Sequence, residues 1–252
     1  MFLLGGHQYR AVRKAVVTML KKITHLFLGV MVVLSAVSVG AQESSVEIDP
    51  TNFVDVIDNP YFPRIPGMRW VYESQTSEGV ERVELEVLTE TREVMGVQTT
   101  VMRDTVTLEG EVVEDTYDYF AQDSDGNVWY FGEAVSNFEN GQLNDTEGSW
   151  EAGVDGAVPG IVMFGDVAAH VGETYQQEVY VGVAEDAAIL LSNSAVLTIP
   201  YGSFEEVVMT YDFTLLDPES QEVKFFAAGI GEIKSVSLLT GEQTFLVDFS
   251  SP

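Results

Sequence analysis

Carboxylates are the only groups this sequence supplies in quantity for acid–base chemistry. It holds 40 Asp and Glu, no cysteine, and His170 as its one histidine beyond residue 41. A hydrolase or lyase can work with two carboxyls alone, one as acid and one as base or nucleophile. Asp115 and Asp118 are the catalytic candidates, because they share a segment with Tyr117, Tyr119 and Phe120. The aromatic set Tyr117, Tyr119, Trp129, Phe131 and Trp150 is the candidate lining for an apolar or sugar ligand. Asp123-x-Asp125-Gly126-Asn127 places oxygen side chains at alternate positions, the composition of a Ca2+ loop. Its glycine comes too early for an EF-hand, and the same residues suit a plain hairpin turn. Thiol nucleophiles and thiolate metal sites are excluded for want of cysteine, and a multi-histidine metal site for want of histidine. Gly-x-Ser-x-Gly and His-Glu-x-x-His are both absent, and His170 reads as a loop residue.

The elements that must position these groups read as strands. Residues 68–73 and 80–88 flank a polar turn, and in the second of them Val83, Leu85 and Val87 alternate with Arg82, Glu84 and Glu86. That alternation marks a half-buried strand. Residues 97–108 are expected to pair with 112–122 across Glu109-Gly110-Glu111, and the turn at 123–127 leads into Val128-Trp129-Tyr130-Phe131. Residues 134–175 are interrupted by glycines and read as an irregular excursion; strand patterning resumes from 175 to 249. Residues 184–192 are the one mature stretch expected to allow a short helix. The fold class is therefore all-β, a single curved antiparallel sheet or half-barrel built as a meander.

Arg10, Arg13, Lys14, Lys21 and Lys22 precede the apolar run from Leu26 to Val39, which ends in Val39-Gly40-Ala41. A basic region, a short apolar core and small residues at the cleavage site make a signal peptide. Residues 1–41 are read as that signal, 42–66 as an extended, proline-rich lead-in, and 67–252 as the β domain. The expected location is secreted or periplasmic, with no membrane insertion after cleavage. Removing the signal takes five of the twelve basic residues and none of the 40 acids, leaving a formal charge of about −33. A field of that sign repels phosphate backbones, so nucleic acid is excluded as a partner. Cations, basic proteins and neutral molecules remain.

Four segments form one set: Asn59-Pro60-Tyr61-Phe62-Pro63 with Pro66-Gly67-Met68-Arg69-Trp70-Val71-Tyr72-Glu73; residues 123–131; Pro200-Tyr201-Gly202-Ser203-Phe204-Glu205-Glu206-Val207; and Ala228-Gly229-Ile230-Gly231-Glu232-Ile233. Across residues 59–249 they resemble a group of uncharacterised secreted bacterial proteins. The resemblance implies an open, strongly curved antiparallel sheet and implies no activity.

Three functional readings stand side by side. The first is a non-enzymatic exported binding or interaction protein, with an apolar small molecule on the concave face and no cofactor unless Ca2+. The second is an extracellular hydrolase or lyase using paired carboxylates. The third is an acidic, cation-binding surface protein.

Overall fold

A computed structural model describes residues 47–252. Sixteen strands are present: β1 Phe53–Val54, β2 Arg69–Thr76, β3 Gly79–Val94, β4 Val97–Leu108, β5 Glu111–Asp123, β6 Val128–Glu139, β7 Gln142–Asp145 and β8 Trp150–Glu151 in the first half. The second half contributes β9 Val158–Met163, β10 Thr174–Gln176, β11 Glu178–Val179, β12 Asp186–Ile199, β13 Gly202–Thr214, β14 Gln221–Ala227, β15 Gly231–Ser237 and β16 Gln243–Ser250. They form one antiparallel sheet in the order β10-β12-β13-β14-β15-β16-β2-β3-β4-β5-β6-β9-β11, with β1 on β5 and both β7 and β8 on β6.

Two-residue turns fold the meander. Met95-Gly96, Glu109-Gly110 and Asn140-Gly141 all have positive φ at both positions. This is the mirror-image turn geometry whose twist matches that of the flanking strands. Each strand then alternates between a face packed inside the sheet and one facing out, as in the buried Val83, Leu85 and Val87 of β3.

The ends of the strand path meet. β10 pairs with β12 at one end and β11 with β9 at the other, yet Gln177 alone separates β10 from β11 in the chain. The Gln177 amide also donates to the Asp186 carbonyl at 2.8 Å. The expected half-barrel is thus an all-β sheet nearly closed into a barrel, because one extended segment serves both edges and leaves neither unpaired.

Two local expectations are corrected. Residues 184–192 do not form a helix; most of them belong to β12, whose Ala188 and Leu190 pack inward while Ala187 and Ile189 are only half-buried. Pairing along the whole of β13 outweighs the helical preference of Ala and Leu. The only helical turns among the described residues are two 3-10 pieces, Pro50–Asn52 and Val167–His170. The irregular excursion also begins later than expected, since β6 runs to Glu139. Beyond it, β7, β8 and β9 are short because they share the free edge of β6 in three instalments.

The lead-in lies against the body, as its apolar residues imply. Phe53 and Val54 pair with β5, and Phe62 packs edge-on against Phe120 at 5.2 Å. Buried Asn59 fastens it: its side-chain amide donates to the carbonyls of Gly126 (2.9 Å) and Phe164 (3.0 Å), and its oxygen accepts from the amides of Tyr61 and Phe62. Pro60 and the Gly229 amide join the lead-in to the β14–β15 turn at 2.7 Å. Trp70 and Tyr72 of β2 donate to the carbonyls of Ile230 and Glu232 at 2.7 and 2.9 Å. This rim of the barrel is closed by chain; the opposite rim carries the turns 77–78, 109–110, 140–141 and the loops 180–185, 215–220 and 238–242.

Gly132 is required where β8 crosses β6. Its φ is +132°, and a Cβ there would stand 2.4 Å from the Trp150 carbonyl oxygen. Gly132→Ala is expected to cost about 2–4 kcal/mol, combining overpacking with backbone strain; urea unfolding measures it, and a loss below about 0.5 kcal/mol would show that β8 is free to move.

Candidate interior carboxylate site

The barrel interior is layered by register. Met102, Asp104 and Val106 of β4 stand opposite Asp118, Thr116 and Glu114 of β5, so these alternate residues share the inward face. Toward the closed rim the layer is apolar and aromatic, with Phe62, Trp70, Phe120 and Tyr130 packed together. Toward the other rim it turns acidic. Besides Asp123, the described residues bury eight carboxylates: Glu81, Asp104, Asp118, Glu133, Glu178, Asp186, Asp212 and Glu232. The buried basic residues are Arg64 and Lys224.

A bulge assembles the centre of this layer. Phe120 pairs with Tyr130, but the next β5 residue back, Tyr119, pairs with Gly132, so Phe131 is the extra residue on β6. Without it Tyr130 and Glu133 would point to opposite faces; with it both point inward. Asp118, Glu133 and Trp150 then stand directly opposite one another across β5, β6 and β8. The Tyr130 hydroxyl donates to Asp118 Oδ1 at 2.6 Å, and its ring meets Trp150 edge-on at 5.4 Å. Asp118 Oδ2, both carboxyl oxygens of Glu133 and Trp150 Nε1 are buried without a hydrogen-bond partner. Unpaired buried polar atoms are costly and rare, so four in one row call for a chemical explanation.

Burial sets the charge state here. It pushes the Asp118 carboxyl up to about 7, with the Tyr130 hydrogen bond pulling the other way, and lifts Glu133 well above the usual carboxylate range. Tyr130 is raised too, by burial and then by the fields of Asp118 and Glu133. Each effect has the same origin, loss of water around a charge.

Across the interior lies a second group. Lys224 is held 3.4 Å from Asp212, which also accepts from Thr210 Oγ1 and, at 3.3 Å, from Gln177 Nε2. Burial opposes the charge on Lys224, but Asp212, Glu232 and Glu222 outweigh it and raise its pKa. Glu222 and Glu232 are pushed by burial to about 7 and about 8 despite Lys224. Burial lowers Arg64 to about 10, and its guanidinium lies 3.7 Å over the Phe62 ring and 4.7 Å over Trp70. A space of about 20 Å³ lies beside the second group, bordered by Tyr130, Glu178, Asp212, Lys224 and Glu232. That is room for one water-sized molecule.

The residues expected from sequence are dispersed. Asp118 is interior, but Asp115 lies on the outer face, gripped by Arg103 through bonds of 2.7 and 3.0 Å. Three residues apart on a strand, the two cannot share a face, and they are not brought together. Tyr117 is exposed beside Arg103, and Tyr119 lies under Arg92 at 4.8 Å. Trp129 and Phe131 contact Phe53 of the lead-in at 6.4 and 5.5 Å, on the side away from Tyr130. Of the five aromatic residues named, Trp150 alone reaches the interior site, and the apolar cup expected on the concave face is replaced by a packed aromatic layer and a carboxylate layer.

At the 123–127 turn the oxygens are already used. Asp123 Oδ1 accepts from the amides of Asp125 and Asn127, and Oδ2 from Asn127 Nδ2 and Trp129 Nε1. Asn127 Oδ1 accepts from the Gly165 amide. Among the described residues no group of three or more Asp, Glu, His or Cys has metal-binding geometry. His170, read from sequence as a loop residue, ends the 3-10 turn Val167–His170, stacked on Phe164 at 3.8 Å and bonded to Glu173.

No protein-family model and no curated protein matches this chain. One solved structure is similar, described as that of a "putative lipoprotein" from Parabacteroides distasonis ATCC 8503. It is 11% identical, with a TM-score of 0.40 over 76% of this chain and 99% of that one. At this level the likeness says nothing about the site. No helix among the described residues is long and apolar enough to cross a membrane; the signal segment lies outside those residues.

Proposed function

We propose that this is an exported binding protein whose interior receives a small organic ammonium group. The observation that carries the reading is the row Asp118, Glu133 and Trp150, whose buried carboxyl oxygens without a hydrogen-bond partner stand in register next to the aromatic pair Tyr130 and Trp150. Carboxylates supply the counter-charge an ammonium needs out of water, and aromatic faces attract the same cation through their quadrupoles. The nearest space, beside Tyr130, is only water-sized, which limits any occupant to a compact head group. The exported location rests on the basic-apolar-small pattern of residues 1–41.

Binding of a cation at protonated carboxyls must expel protons. Calorimetric titration with methylammonium chloride at about pH 7, in two buffers of different ionisation enthalpy, is expected to show binding with net proton release. Asp118→Asn with Glu133→Gln should weaken it by roughly tenfold or more, while Asp115→Asn, altered on the outer face, leaves it unchanged. Heats no larger than those of sodium chloride in a folded sample, or full binding by the double variant, would sink the proposal.

A further inference from the structure

We infer that the rim opposite the lead-in docks a cationic amphipathic helix from another polypeptide. Hairpin tips are ordinarily built from Gly, Asn, Asp and Ser, which satisfy turn geometry and face water. Three neighbouring loops on this rim depart from that rule. Exposed aliphatic residues crown them: Val181 (85% exposed) and Val183 before β12, Leu215 (78%) and Leu216 between β13 and β14, Leu238 and Leu239 (61%) between β15 and β16. Hydrogen bonds hold these loops side by side, from Leu238 N to the Gln221 carbonyl at 2.9 Å and from Thr214 Oγ1 to the Glu185 carbonyl at 3.4 Å. Single exposed leucines are ordinary, but a contiguous set on adjacent tips marks an interaction surface.

The rest of the same rim is acidic. Continuing round the sheet, the tips carry exposed Glu78, Glu109, Glu111 and Glu139. Just inside, Glu81 is buried, and Glu222, with one carboxyl oxygen unpartnered, lies within reach of its field from the other side of the barrel. The most exposed aliphatic side chains are thus gathered on three adjacent loops, and acids surround them on the whole rim, among them Glu219 and Glu242 on those same loops. An occupant must offer an apolar stripe to the aliphatic loops and basic side chains to the acids around them, which is the layout of an amphipathic cationic helix. A second copy of this chain would set two acidic rims face to face, and an anionic lipid surface would meet repulsion at a formal charge of −28.

The test uses a fluorescent peptide of about 18 leucines and lysines patterned at the helical period, and a scrambled peptide of identical composition. At about 0.15 M salt, where long-range attraction is screened, fluorescence anisotropy is expected to show the patterned peptide binding one-to-one and roughly tenfold tighter than the scrambled one. Leu215→Ser with Leu239→Ser should remove that advantage without lowering the melting temperature, and Glu78→Gln with Glu139→Gln should reduce the salt dependence. Equal binding of the two peptides would overturn the inference, leaving bulk charge as the cause. So would dimerisation, or flotation with phosphatidylcholine vesicles, that the leucine substitutions abolish while peptide binding persists. The ammonium reading is tested at Asp118 and Glu133 with methylammonium, so either proposal can fail while the other holds.

Discussion

Raising the pH from about 5 to about 8 is expected to lower the melting temperature by roughly 10–15 °C. Burial holds Glu81 and Glu222 at about 7, Asp118 at about 7 and Glu232 at about 8 in the folded protein. In the unfolded chain the same groups titrate near 4. Between those limits the native state keeps protons the unfolded state has released, so stability falls as pH rises from about 4.5 and levels off once the folded groups have titrated. A shift of two to three units in one group corresponds to about 3–4 kcal/mol. Neighbouring groups titrate as a set and do not add in full, so about 3–6 kcal/mol is the expected total. For a domain of this length that is a change of the stated size.

The carboxyls with depressed pKa, such as Glu84 beside Arg82 and Arg69, contribute in the opposite sense only below the ordinary carboxylate range, outside this window. General repulsion among surface acids also grows with pH, but about 1 M salt screens it to about 3 Å. Scanning calorimetry across the pH series in low and high salt separates the two. A slope that vanishes in salt, or rises with pH, would show that the interior carboxyls are ionised and solvated in the native state.

The strands were legible because their signal is local. Alternation in residues 80–88, and Gly110 and Gly126 at the turns, hold in any antiparallel arrangement, and β3 to β6 pair as their order in the chain implies. Closure was not legible. It depends on Thr174–Val179 serving two edges at once, and nothing in a six-residue segment states its partners. The site was missed for a related reason. Tyr117, Tyr119, Trp129 and Phe131 are dense in sequence, but Tyr117 and Tyr119 take the β5 face opposite Asp118, and the single extra residue at the β6 bulge decides which of the β6 residues share the face of Glu133. One signal was available: a charged residue standing where the alternation calls for an apolar one. Asp104 between Met102 and Val106, and Lys224 two residues before Phe226, both fit that description, and both are buried.

Lys224→Met is expected to cost about 3–5 kcal/mol at about pH 8, the scale for breaking a buried ion pair from one side. The Lys224 side chain is 6% exposed and that of Asp212 3%, so neither loss can be made good by water. At about pH 5 the deficit should shrink, since Glu222 and Glu232 are then protonated and Lys224 faces less negative charge. Lys234→Met is the control: that ammonium is more exposed, lying 5.6 Å from the Phe225 ring and 5.2 Å from that of Phe245, and its removal should cost under about 1 kcal/mol. Adding Asp212→Leu to Lys224→Met should restore much of the loss, because an apolar pair of similar volume carries no desolvation penalty. Chemical denaturation of the unaltered protein and the three variants at both pH values decides the matter. If the double variant is no more stable than Lys224→Met alone, then Lys224 acts through Glu222 and Glu232, and the carboxylate layer is one electrostatic unit in which no single pair dominates.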